Sequence, residues 1–177
     1  MGQKSAQMAL GGIFSALCVT LMFFTGVMPF GRYALPIFAG VMIMPVVIEL
    51  GTKTALTVYI SVSILSVLLA PDRQAVMIFV AFFGYYPIVK GKLEKLPGRA
   101  PEYAFKLLLF NGGMVGGFMF MIYVLGMAQA FEGIREQTYA PLLFLGAGNI
   151  LFFIYDMALT QYYTIYVEKM RPKILRK

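Results

Sequence analysis

The sequence predicts an all-α integral membrane protein, a single domain (residues 1–177) in which six transmembrane helices form a compact bundle. Of its 177 residues, 60% are hydrophobic and only 13% are charged, and the mean hydropathy is +0.78. A soluble domain carries about 25% charged residues because its surface faces water. This chain has too few polar residues for such a surface, and it contains several apolar stretches near the ~20 residues that cross a bilayer.

Six apolar segments account for the predicted helices, and turn residues or charges separate them. They cover residues 8–29, 33–50, 52–70, 74–90, 103–127 and 138–167. The second is short and contains Pro36 and Pro45, so we expect it to be kinked or partly re-entrant. The third ends at "APDR", and the polar, basic connector "KGKLEKLPGRAPEY" precedes the fifth. Helices are favoured because no segment shows the strict alternation of a membrane β-strand, and lipid excludes open sheet edges.

The placement of lysine and arginine predicts the orientation of the helices. Six crossings put both termini on one side of the membrane. That side carries twelve basic residues, and the other side carries only Arg32, Arg73 and Arg135. Both termini are therefore predicted to be cytoplasmic. The net charge of +7 is explained by this bias and by contact with anionic lipid, and we expect no nucleic-acid partner.

Several classes of protein are excluded by the residues that the chain lacks. It contains no histidine and a single cysteine, Cys18, which leaves no imidazole metal site, no histidine proton relay and no disulfide framework. It has no phosphate-binding or dinucleotide-binding glycine motif and no paired intramembrane aspartates. We therefore expect no enzymatic activity, no catalytic residue and no cofactor or metal.

One aspartate, Asp156, lies within the apolar stretch "GNILFFIYDMALTQYYTIY". A charged side chain at the centre of a bilayer costs roughly 2.5–3.5 kcal/mol or more, so it needs partners. Asn111 on the fifth helix lies at a comparable predicted depth, and Lys106 lies one turn lower. The favoured interpretation is a structural lock between Asn111 and Asp156; a gating or proton-coupled role for Asp156 is the alternative.

Two groups of small residues predict close helix packing. In "NGGMVGG", residues 111–117, the glycines fall four apart, which lets helix backbones approach each other in lipid. The alternative is a close backbone approach to a ligand. On the first helix Gly12, Ala16 and Thr20 form one stripe, which could contact another helix of this chain or of a different one.

The external side offers one arginine in each predicted loop, at positions 32, 73 and 135. Neighbouring acidic residues nearly balance them, which favours solvated loop charge. The alternative is that the loops converge on a small-molecule site, where guanidinium groups hold a carboxylate or phosphate. Asn149, Tyr33 and Gln74 would then contribute polar groups to a largely apolar pocket.

Three features together resemble a known family. They are the small-residue face in "ALGGIFSALCVTL", the stretch "ALPIFAGVMIMPVVIELGTKTAL", and six predicted spans in under 180 residues with a basic tail. In this layout the chain is similar to the substrate-capture subunit (S component) of energy-coupling factor (ECF) transporters, which import vitamins and related micronutrients in prokaryotes. The resemblance implies a location in the prokaryotic inner (plasma) membrane.

The resemblance implies a partner set and a distribution of sites. Such subunits capture a ligand externally and associate with a transmembrane coupling subunit and two cytoplasmic ATPases. The family's docking motif would correspond here to Gly12 and Ala16, with glycine in place of the first alanine. Ligand contacts would come from Arg32 in "MPFGRYALP" and from Tyr85, Asn149 and Asn111.

Two other hypotheses remain open at this point. The chain could be a membrane scaffold similar to the six-span rod-shape proteins of bacterial cell-wall machinery, with no ligand pocket. A self-assembling channel is disfavoured because no helix carries a continuous polar stripe. An enclosed external cavity reached by Arg32 and Asn149 would favour ligand capture, and a tightly filled bundle would favour the scaffold.

Overall fold

The computed structural model describes residues 2–28, 31–127 and 139–171, and all regular structure within them is helical. The α-helices are α1 (Gly2–Phe24), α2 (Gly31–Leu69), α3 (Arg73–Ile78), α4 (Tyr86–Leu93), α5 (Arg99–Tyr123) and α6 (Ala140–Ile165). Two π-helical turns, Phe79–Phe83 and Tyr166–Met170, follow α3 and α6.

Five helical stretches of the described chain are long and apolar enough to cross a membrane. They are Gln7–Phe24, Gly31–Leu69, Arg73–Leu93, Arg99–Tyr123 and Leu142–Lys169. The predicted all-α, multi-pass architecture is therefore confirmed at this level.

The long helix α2 is two helices joined at a sharp bend. Gly51 has φ 82° and ψ 169°, which is the one non-helical conformation within α2. This region of φ/ψ space is essentially restricted to glycine. The bend divides α2 into a first arm, residues 31–50, and a second arm, residues 52–69, which match the second and third predicted segments.

An ion pair closes the open end of this helical hairpin. Arg32 Nε lies 2.6 Å from Asp72 Oδ2, although the two residues lie at opposite ends of α2. A straight helix of 39 residues would hold them about 58 Å apart. The two arms therefore run antiparallel, and the turns at residues 25–28 and 70–72 meet at one end of the bundle.

The backbone keeps helical φ/ψ angles through both prolines of the second segment, so the predicted re-entrant form is not seen there, while the predicted kink stays a prediction. Pro36 and Pro45 lie inside the first arm. Membrane helices tolerate proline where neighbouring helices and local adjustment compensate for the lost hydrogen bond. Both prolines are buried, so packing accommodates them and the break occurs only at Gly51.

Helix α1 packs on both arms of α2 and forms the first core with them. Cys18 is fully buried and its Sγ lies 3.3 Å from the carbonyl oxygen of Ala39. A Cβ on Gly11 would lie in ordinary contact with Leu50 in the first arm and Val58 in the second. Alanine, valine and isoleucine side chains make up most of this core, which also contains Met22 and Phe79.

The second core is aromatic and joins the α3–α4 region to α5 and α6. The ring of Phe82 is at its centre and stacks on Tyr86 at 4.6 Å between centroids. Phe110 of α5 stacks on Phe152 of α6 at 5.2 Å. Paired rings contribute about 0.5–1.5 kcal/mol beyond their buried area. This core aligns the helices that carry the charged residues described below.

Glycines allow close approach of backbones where the two cores meet. A Cβ on Gly40 would clash with the Phe83 carbonyl and would lie 2.6 Å from the Tyr155 hydroxyl. Gly113 similarly faces the Ala81 carbonyl. The packing interpretation of residues 111–117 is thus confirmed for Gly113 and Gly117, whereas Gly112 and Gly116 face open space.

The observed helix ends differ from the predicted ends by up to six residues. Helix α1 begins at Gly2 rather than residue 8, and α5 begins at Arg99 rather than residue 103. Both extensions are polar and would lie beyond the apolar region that the prediction used. The predicted ends at residues 29 and 138 lie outside the described residues.

Replacing Gly51 with alanine is expected to destabilise the hairpin by about 1–3 kcal/mol, because a side chain is strained at this φ/ψ. Cys18 is the only cysteine and is fully buried, so its labelling by a thiol-reactive dye during heating in detergent reports unfolding. The matched control is Gly91→Ala, in α4, where an added Cβ meets no atom within 4 Å. Equal unfolding temperatures for the two variants would contradict the bend.

Candidate functional site

A cluster of buried charges ties α4, α5 and α6 together around Asp156. The carboxylate accepts hydrogen bonds from the Tyr86 hydroxyl at 2.6 Å, from Lys106 Nζ at 3.0 Å, and from Lys90 Nζ. Lys90 and Lys106 are each 1% exposed and Asp156 is 5% exposed. The aspartate that the sequence places in an apolar helix therefore has three donors from two other helices.

Two glutamates complete this charged cluster. Glu94 contacts Lys90 at 2.7 Å, and Glu102 contacts Lys106 at 2.7 Å. Both pairs are four residues apart on one helix, a spacing that brings side chains together. The five described groups comprise two cations and three carboxylates, so the buried lysines are more than neutralised. Such pairing offsets the large cost of burying charge.

The predicted direct pairing of Asp156 with Asn111 is wrong. Asn111 and Asn149 bind each other through reciprocal amide hydrogen bonds, both 3.0 Å long. On the antiparallel helices α5 and α6, Asn111 lies opposite Asn149, and Lys106 lies opposite Asp156. Counting residues from the membrane boundary predicts the approximate depth of Asn111 and Asp156. Which side chains pair, however, depends on the register of α5 against α6.

The asparagine pair is internally satisfied. The Asn111 amide also donates to the Leu107 carbonyl at 2.9 Å, and the Asn149 amide donates to the Leu145 carbonyl at 2.8 Å. In lipid, each such interhelical bond contributes about 0.6–2 kcal/mol. The pair is thus a second polar tie between α5 and α6, and the predicted ligand-binding amide of Asn149 is engaged in it.

A cavity of about 530 Å³ lies at the end of the bundle where the turns meet. Its lining includes Arg32, Asp72 and Arg73, together with polar groups of Thr25 and Gln74. Arg32 is paired with Asp72, and one guanidinium nitrogen of Arg73 donates to the Val67 carbonyl at the end of α2. The three charged groups give the cavity a formal charge of +1.

The other residues predicted to bind substrate do not line this cavity. Tyr33 lines a separate apolar cavity of about 220 Å³ with Phe110 and Phe144. The Tyr85 hydroxyl faces the Leu109 carbonyl of α5 at 3.4 Å, and the half-buried ring packs on Tyr59 of α2. Arg135 lies outside the described residues. Of the predicted set, the structure brings Arg32, Arg73 and Gln74 together at this cavity, and Tyr33 forms a side-chain hydrogen bond with Arg32.

The predicted docking residues lie on an uncovered face of α1. Gly12 and Ala16 are both exposed, and an added Cβ on Gly12 would meet no atom within 4 Å. This part of α1 borders a cavity of about 420 Å³ shared with the second arm of α2. The stripe is therefore not used for packing within the described chain.

Sequence reasoning missed Tyr86, Lys90 and Glu94 as partners in the charged cluster. From the sequence, Lys90 was interpreted only as one of the basic residues at the cytoplasmic membrane boundary. Their spacing carried a usable signal, since residues 86, 90 and 94 fall on one face of a helix. The described residues contain no group of three or more His, Cys, Asp or Glu side chains arranged to hold a metal ion.

Comparison with protein-family models, curated protein sequences and solved structures found no match to this chain.

Replacing Asp156 with leucine should lower stability by about 3 kcal/mol, because it removes the carboxylate between two buried lysines. Asp156→Asn should be milder, since the amide oxygen still accepts a hydrogen bond. The Cys18 labelling assay measures both. Glu168→Gln, an exposed substitution after the same helix, is the control. An Asp156→Leu variant that unfolds at the wild-type temperature would show that the cluster is not a structural tie.

Proposed function

We propose that this chain is the membrane-embedded substrate-binding subunit of an ECF-type micronutrient importer, which captures a small anionic molecule at the external face. Six helices cross the membrane, with both termini in the cytoplasm. Transport is driven by two ATPases and a transmembrane coupling subunit on other chains. The observation that carries the proposal is the cavity bordered by Arg32 and Arg73 at the end opposite the charged cluster.

The hairpin form of α2 supports six crossings. The first arm has 20 residues and the second has 18, and helices of these lengths span about 30 Å and 27 Å. These lengths match the hydrocarbon core of a bilayer. The turn at Gly51 would then lie on the same side as the α4–α5 connector, where most of the basic residues are found.

Reporter fusions to the two ends test this orientation. We expect a reporter that is active only in the cytoplasm to be active at both termini, and one that is active only outside to be inactive at both. A third fusion near Asp72 should give the opposite pattern. Termini on opposite sides would contradict six crossings.

The cavity has a size and chemistry suited to a small anion. Its volume falls within the roughly 300–1,000 Å³ typical of small-molecule sites. Arg73 uses one nitrogen for the Val67 carbonyl, and a guanidinium group has five N–H donors. The remaining donors of Arg73 and of Arg32 would hold a carboxylate or phosphate in two-point contact.

The uncovered stripe on α1 supports the second half of the proposal, association with a coupling subunit. Helices in lipid associate where small residues let their backbones approach. Gly12 and Ala16 offer such a surface, and the described chain does not cover it.

A scaffold without a ligand is the second candidate, and one observation favours it. Asn149 and Tyr85, two of the predicted ligand contacts, face partners within the bundle. The same stripe on α1 would then bind membrane proteins of a different assembly, and no ATPase would accompany the chain.

Copurification in mild detergent distinguishes the two candidates. We expect the wild-type chain to retain a coupling subunit and ATPases, and the double variant Gly12→Leu/Ala16→Leu to lose them because bulky side chains separate the backbones. Gly146→Leu is the matched control, since Gly146 on α6 faces equally open space. Copurification of other membrane proteins without any ATPase would favour the scaffold and contradict the importer.

A further inference from the structure

A second large cavity, with a different chemistry, lies at the opposite end of the bundle from the arginine-lined one. It measures about 680 Å³ and is enclosed by the first arm of α2, by α4 and by the end of α6. Its basic residues are Lys90, Lys92, Lys95 and Arg171, and Glu94 is its one acidic residue. The lining therefore carries a formal charge of +3. We call it the basic cavity.

Two of the four cations in the basic cavity have internal partners. Lys90 is bound to Asp156 and Glu94 in the charged cluster, and Arg171 Nε lies 3.2 Å from Glu49 Oε1. These two basic side chains are therefore held by partners within the bundle.

The other two cations are available to a ligand. Lys92 and Lys95 are exposed, and no ion pair within residues 2–28, 31–127 and 139–171 engages either one. Three hydroxyl side chains, Thr52, Thr160 and Tyr163, line the same space. Thr160 donates its hydroxyl hydrogen to the Asp156 carbonyl, which leaves the hydroxyls of Thr52 and Tyr163 for a ligand. Ammonium groups beside hydroxyl donors suit a phosphate oxyanion.

An apolar wall adjoins these polar groups. Met44, Val47 and Ile48 of the first arm and Val167 after α6 line the cavity. Tyr163 is exposed at the same level, and tyrosine is enriched where a membrane meets water. A ligand with a phosphate and an adjoining apolar portion would match both parts of the lining, whereas a free phosphate would use only the polar part.

We propose that the basic cavity binds the phosphate headgroup of an acidic phospholipid from the cytoplasmic leaflet. Lys92 and Lys95 contact the phosphate, and the apolar wall borders the glycerol backbone and the first part of an acyl chain. Basic pockets between transmembrane helices on the cytoplasmic side bind anionic headgroups in this manner. The proposal requires the orientation given above but not the transport function, so either can fail without the other.

Native mass spectrometry of the full chain in detergent, with added lipid, tests the site. We expect phosphatidylglycerol to be retained in preference to phosphatidylcholine. The double variant Lys92→Gln/Lys95→Gln should weaken this retention by about fivefold for each lysine removed. Lys53→Gln/Arg99→Gln is the matched control, because it removes the same charge from exposed residues that do not line the cavity.

Competition with inorganic phosphate distinguishes a lipid headgroup from a free phosphate ion as the ligand. We expect millimolar phosphate not to displace phosphatidylglycerol, since the apolar wall contributes to lipid binding. Full displacement by phosphate would identify a soluble anion and overturn the lipid assignment. Equal retention of both lipids, or equal loss in the two double variants, would also overturn it. The Cys18 labelling assay verifies that each variant is folded.

Discussion

The ionic contact of Asp156 with Lys90 and Lys106 is the interaction on which the arrangement of α4, α5 and α6 depends. In lipid the hydrophobic effect does not hold helices together, so packing and polar contacts must do so. The contact uses one residue from each of the three helices. An unpaired member would be a buried charge of high cost, and the cluster therefore penalises any separation of these helices.

The two ends of the bundle are built differently, and this difference organises the functional proposals. At one end the charged cluster and the asparagine pair tie α5 to α6, and the basic cavity lies beside them. At the other end an ion pair between the exposed Arg32 and Asp72 joins the turns around a cavity. Surface ion pairs contribute only about 0–1 kcal/mol. Rearrangement around a ligand is thus less costly at the arginine-lined end than at the charged cluster.

Hydropathy and turn residues were enough to predict the helical segments, because lipid requires helices and Gly51 and "APDR" interrupt the apolar runs. They were not enough to predict side-chain partners. The pairing of Asn111 with Asn149 and of Lys106 with Asp156 depends on the register of α5 against α6, which aromatic packing around Phe110 and Phe152 sets. Tyr33 and Arg32 line different cavities, since adjacent residues on a helix point about 100° apart.

The most direct test of the central claim is a distance measurement in lipid bilayers by solid-state nuclear magnetic resonance. The sample carries ¹⁵N-labelled lysine and ¹³C-labelled aspartate. The chain has two aspartates, and Asp72 lies at the opposite end of the bundle, where it pairs with Arg32. The account predicts dipolar coupling between the Asp156 carboxyl carbon and lysine Nζ nitrogens, reduced by Lys106→Met and abolished by Lys90→Met/Lys106→Met. No coupling in the wild-type protein would contradict the tie between α4, α5 and α6.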